Sequence, residues 1–105
     1  MTNEQAQLAG RCIVCDKGHY KDDSIKGIRV GFIECSICDV KYIIEWMVLK
    51  TFRGGKLDPD DGAKLIKAAR IENKIGRQFY LGIAEFEKLF GRLPQDYEAG
   101  SPTGI

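Results

Sequence analysis

Long hydrophobic runs are missing from this 105-residue chain. No stretch approaches the ~18 apolar residues that a membrane-spanning helix requires, so the sequence does not read as a membrane protein. The first ten residues, MTNEQAQLAG, contain no apolar core of the secretory type, and the expected location is a reducing cytoplasm, where structural disulfides are rare. Charge of one sign is lacking as well: sixteen basic against fifteen acidic side chains leave a net +1, which gives no general attraction to nucleic acid or to an anionic membrane. Histidine occurs once, as His19. H-E-x-x-H, G-x-S-x-G, Walker and dinucleotide glycine patterns are all absent, as is the H-x-E partner of a deaminase zinc. These absences point to a binding protein and not to an enzyme.

What is present begins with the cysteines. All four lie between Arg11 and Ile43, in the pairs Cys12/Cys15 and Cys35/Cys38, with nineteen residues between the pairs. That spacing falls in the 15–20 range of four-cysteine metal sites, and two C-x-x-C turns can complete a tetrahedral shell. A thioredoxin-like redox motif needs a C-x-x-C opening a helix in a βαβ setting, which neither pair has. Iron would suit the same sulfur cage, with zinc ahead of it. The expected cofactor is therefore one structural zinc on Cys12, Cys15, Cys35 and Cys38. Four thiolates close the shell and leave no position for an activated water. His19, four residues beyond Cys15, reads as an exposed loop residue in preference to a substitute ligand. Asp16 and Asp39 follow the two pairs at positions that often need a left-handed backbone, which Asp tolerates. A chain of this length buries only about 60–70% of its unfolded surface, so a metal staple would add to a modest core.

Around the cysteines the pattern predicts an α+β chain in four parts: a flexible arm over 1–10, a zinc ribbon over 11–57, a helical region over 58–93 and a flexible tail over 94–105. Alternating apolar residues predict strands from Ile28 to Phe32 and from Val40 to Val48, with the second cysteine pair in the turn between them. "DPDD" predicts a helix start with Asp58 as N-cap, Pro59 as first residue, and Asp60 and Asp61 on the positive helix end. On a helical wheel Leu65, Ala68, Ile71, Ile75, Phe79, Ile83, Phe86, Leu89 and Phe90 share one arc. This predicts a single long amphipathic helix to Phe90, bent or broken at Gly76 or Gly82, docked on the ribbon or on a second chain, which leaves a homodimer open.

Opposite that stripe lie Lys67, Arg70, Lys74 and Arg77, with no acid four residues before any of them. A solvated face explains such a ridge, and so does an anionic partner. Strand alternation makes core packing the more frequent explanation for Tyr42, Trp46 and Phe32; if exposed on the ribbon, Trp46 and Tyr42 would supply aromatic anchors to a protein or stacking surfaces to a single strand. With so little net charge a protein partner is favoured and nucleic acid comes second.

"CIVC", "FIECSIC" and "DVKYIIEW" resemble the zinc-ribbon group, in which two C-x-x-C knuckles hold one zinc and the second leads into a β-hairpin. The likeness covers about forty residues, a span that includes both knuckles. It implies metal ligands at Cys12, Cys15, Cys35 and Cys38 and no specific activity. Narrower likenesses are to the Gin anti-sigma factors of sporulating bacteria and to small phage-encoded zinc-ribbon proteins. They imply a regulator or inhibitor acting on a nucleoprotein machine such as the transcription apparatus, in a host's cytoplasm where the chain is phage-encoded.

Overall fold

In the computed structural model, which describes residues 12–52 and 56–94, two turn residues set the first hairpin. Lys26 (φ 50°) and Gly27 (φ 81°) both adopt the left-handed backbone that a two-residue turn of matching twist demands. They join β1 (His19–Ile25) to β2 (Ile28–Cys35), with Ile25 facing Ile28. A second antiparallel pairing, closed by Cys35 against Val40, brings in β3 (Val40–Glu45). The chain then winds through α1 (Trp46–Leu49), a 3-10 turn (Lys50–Phe52) and α2 (Pro59–Lys74) before β4 (Phe79–Leu81) returns parallel to β3. α3 (Ile83–Phe90) follows, so the architecture is α+β with a four-stranded sheet in the order β1-β2-β3-β4. Among the described residues no helix is long and apolar enough to cross a membrane. The arm expected at 1–10 and, Pro94 apart, the tail expected at 94–105 lie outside the described residues.

One sheet face carries the core. Tyr20, Ile33, Cys35, Val40, Tyr42, Ile44 and Leu81 face inward, and Val48, Leu49, Phe52, Leu65, Ala69 and Phe86 cover them. Gly31 lies directly under the Tyr20 ring, where a Cβ would come within 2.1 Å of it. β1 carries no alternating apolar pattern in its sequence, HYKDDSI, and buries only Tyr20. It sits at the sheet edge, where charged side chains discourage pairing with other chains.

Three expectations need correction. The second strand stops at Glu45, and Trp46 and Val48 belong to α1. Val48 and Leu49 are adjacent and both buried, which a strand with one covered face cannot achieve and a helical turn can. The single long helix is also absent: α2 ends at Lys74, Gly76 turns the chain at φ 83°, and Phe79 lies on β4. A continuous helix would have set Leu81 among the ridge cations, whereas β4 buries it completely. The apolar stripe is correspondingly covered at Leu65 and Phe86 but open at Ile71, Ile75 and Ile83.

The helix start is as expected. Asp58 Oδ1 accepts from the Asp61 backbone N–H at 2.8 Å, Pro59 opens the helix, and Asp60 and Asp61 occupy its first turn. Asp61 also meets Arg92 at 3.0 Å, which ties the start of α2 to the residues after α3.

Phe86 is fully buried against Phe52 and Phe90. Phe86→Ala is therefore expected to cost about 3–5 kcal/mol in urea unfolding, while Ile75→Ala, at an open site, changes stability by no more than about 0.5 kcal/mol. Equal losses for the two would refute this assignment of the core.

Candidate metal centre

Each cysteine pair is a tight turn fixed by its own backbone. In the first, the Asp16 N–H reaches the Cys12 carbonyl at 2.6 Å and the Cys12 N–H reaches the Lys17 carbonyl at 2.9 Å. Asp16 takes the left-handed conformation at φ 62°, and Asp39 does the same after the second pair at φ 57°. In that second turn the Cys38 N–H points at the Cys35 sulfur at 3.3 Å. Gly18 lets the first turn approach the second: a Cβ there would lie 3.0 Å from the Glu34 carbonyl and 3.1 Å from Cys35.

The four Sγ atoms consequently lie within 4.8 Å of one another. None is in a disulfide, and those of Cys15 and Cys35 stand 3.4 Å apart. A tetrahedral ion bonded to four thiolates at about 2.3 Å separates them by about 3.8 Å, so the sulfur set fits a metal with little adjustment. No other group of histidines, cysteines and carboxylates among the described residues is placed to hold an ion. His19, exposed at the start of β1, stands outside the cluster, and the aspartates around Pro59 serve as the helix cap.

Without a cation this gathering of sulfurs is electrostatically awkward. Burial, together with the neighbouring sulfurs, raises the pKa of Cys15 and of Cys38 above the usual thiol value. Burial opposes the Cys35 thiolate too, but the Cys38 N–H and the adjacent thiols outweigh it, and its pKa falls. A positive ion would offset the penalty on Cys15 and Cys38, since a metal binds thiolate and not thiol.

Tyr42 is the residue whose part sequence reasoning missed. Far from being an exposed anchor, it is wholly buried, its hydroxyl accepting from the Ile13 N–H at 3.0 Å and donating to the Cys12 sulfur at 3.2 Å. Burial and the nearby Cys12 sulfur hold its phenol pKa well above the usual tyrosine value. The Ile13 side chain is itself in the core, and its carbonyl accepts from the Leu57 N–H at 2.7 Å. The first knuckle is thus pinned on three sides. Strand alternation was the available signal, because Tyr42 faces Ile33 and shares a sheet face with Cys35.

The other candidate contact residues are dispersed. Trp46 is half-buried, and one ring face is occupied by the Arg29 guanidinium at 4.0 Å from the centroid. Asp22 holds that guanidinium at 3.1 Å, a pairing that lowers the aspartate's pKa. Lys67, Arg70 and Lys74 are exposed on α2. Arg77 lies beyond the helix end, where it pairs with Glu72 at 3.2 Å. Arg70 reaches across to the Cys38 carbonyl at 2.8 Å, so a ridge cation braces the second knuckle.

Between α2 and the ends of β2 and β3 lies an open groove of about 1180 Å³, which brings Arg70, Lys74 and Arg77 together with Lys41 against Glu34 and Asp39. Its floor is tied by Asn73, whose side chain accepts from the Lys41 N–H at 2.8 Å and donates to the Lys41 and Arg77 carbonyls at 3.0 and 2.9 Å. Compared with family models, with curated proteins and with solved structures, the chain matches none.

One metal ion per chain is expected by native mass spectrometry, lost in Cys35→Ser. Tyr42→Phe removes a hydrogen bond to a ligand sulfur and should weaken metal affinity about 10- to 100-fold. Because binding displaces thiol protons, affinity should fall as pH falls. Metal affinity independent of pH and of Tyr42 would contradict this arrangement.

Proposed function

We propose that the chain is a zinc-ribbon interaction protein, without catalytic activity, that acts as a regulator or inhibitor by holding an anionic surface of a protein partner within a nucleoprotein machine. The observation that carries the reading is the groove beside the second knuckle, where four cations face two carboxylates. Zinc is the ion best suited to four thiolates with no open position, and its part is to fix the two knuckles. That shell offers no site for an activated water, which favours binding over catalysis.

A protein partner is favoured because the groove wall is not of one sign. Glu34 lines it and pairs with Lys41 at 3.4 Å. A phosphate backbone passing here would be repelled by Glu34 and Asp39, while a peptide can place charges of both signs.

Charge reversal tests the reading. Lys67 and Lys74 are the residues to change, since Arg70 also braces a knuckle. Lys67→Glu with Lys74→Glu should leave metal content intact and stability within about 0.5 kcal/mol, yet abolish capture of the native partner from a nuclease-treated lysate. Capture that depends on nucleic acid, with a log-log salt slope near −0.9 per phosphate contacted, would replace the protein reading. Capture unaffected by the double reversal would remove the ridge from the function.

A further inference from the structure

The outward side of the end of α2 holds two large apolar side chains that the fold does not use, Ile71 on the helix and Ile75 at its C-cap. Ile71 is 56% exposed and Ile75 59% exposed, and they follow one another at a four-residue spacing. Lys67 stands one turn before Ile71 on the same line, with Lys64 and Lys74 beside it, all exposed. Among the described residues Lys67 and Lys74 form no ion pair and no hydrogen bond. Isoleucine is a poorer helix former than alanine or lysine and is usually found inside. A merely solvated face gains nothing from two of them.

We infer that this face docks an acidic amphipathic helix of the partner protein, a proposal that rests on the anionic partner argued above and names the form it takes. Side chains four apart make a ridge that fits the groove between the side chains of a second helix. Glutamates or aspartates flanking the apolar line of that helix would meet Lys64, Lys67 and Lys74. A sugar-phosphate backbone would satisfy the lysines and leave both isoleucines in water. A second copy of this chain, laid across the same face by two-fold symmetry, would set Lys67 and its neighbouring cations against their own counterparts.

The test is a display selection of random 16-residue peptides on the full, metal-loaded protein. Enriched sequences should be acidic, with apolar residues recurring three and four apart, and should become helical on binding by circular dichroism. Ile71→Ser with Ile75→Ser should weaken the selected peptides about tenfold or more without changing metal content or melting. Lys67→Glu with Lys74→Glu should weaken them too. The two readings fail differently: if the serine pair binds the selected peptides as tightly as the parent while the glutamate pair does not, the anionic partner stands and the helix-docking face falls. If both pairs bind unchanged, both fall. Enrichment of peptides with no acidic or helical pattern overturns the proposal. So does a dimer in sedimentation equilibrium that the serine pair dissolves, which would make a second copy the occupant. Methyl contacts from Ile71 or Ile75 to residues 95–105 in the free protein would assign the face to the chain's own end and overturn it as well.

Discussion

The hydroxyl of Tyr42 is the junction on which the cysteine cluster and the hydrophobic core both depend. It is buried in the sheet, and it accepts a hydrogen bond from the Ile13 N–H while donating one to the Cys12 sulfur. An apolar residue at this position would leave the buried Ile13 amide without its partner, which costs more than an ordinary hydrogen bond contributes, and would take a hydrogen bond from the Cys12 sulfur. With the tyrosine in place the first knuckle has one docking geometry, and Cys12 and Cys15 arrive beside Cys35 and Cys38 through the core rather than through the metal alone. An ion bound there would complete an arrangement whose backbone is already specified, in keeping with the general role of groups behind the ligands in orienting them.

A second constraint acts at the other end of β3. Glu45 accepts from the Tyr80 hydroxyl and, at 3.3 Å, from the Ile83 N–H, so a strand-end carboxylate supplies an acceptor at the start of α3. Burial and the hydrogen bond to Glu45 push the Tyr80 phenol up to about 12, with the Glu45 and Glu85 charges adding to the effect. Gly82 in between leaves room for this contact, since a Cβ there would lie 2.6 Å from the Glu45 carboxylate and push that side chain aside. Together with the left-handed turn at Gly76, this converts what periodicity reads as one helix into helix, strand and helix. The strand completes the sheet and buries Leu81, which no helix through this segment could have done.

The local signals were legible and the long-range ones were not. Cysteine spacing, the Asp-Pro helix start and the left-handed aspartates after each knuckle are properties of a few consecutive residues, and each is found where the sequence places it. β1 was hidden because an edge strand need not alternate, and α1 because Val40 to Val48 alternates well enough to imitate a longer strand. The helix was overextended because Ile71, Ile75 and Ile83 satisfy the 3.6-residue period while standing in solvent. Tyr42 was legible as a strand residue but not as a partner of Cys12, because that contact joins positions thirty apart in sequence.

Near-neutral composition conceals how unevenly the charges are used. Among the described residues several acids have structural tasks: Asp58 caps α2, Asp61 holds Arg92, Asp22 holds Arg29, Glu34 meets Lys41, Glu72 meets Arg77, and Glu45 and Glu85 serve the start of α3. The bases answering them are Arg92, Arg29, Lys41 and Arg77, none of which lies on α2. The cations of α2 itself are therefore left facing solvent, apart from the Arg70 contact with a knuckle carbonyl. A total of +1 is thus compatible with a helix face whose local field is positive, since at physiological ionic strength charges more than about 8 Å away are largely screened from one another. A near-zero total charge and a locally positive face are then the same charge distribution seen at two distances. Under the reading proposed here, a partner would meet a near-neutral protein until it reached α2, where Lys67 and Lys74 present charge and Ile71, with Ile75 at the C-cap, presents apolar surface.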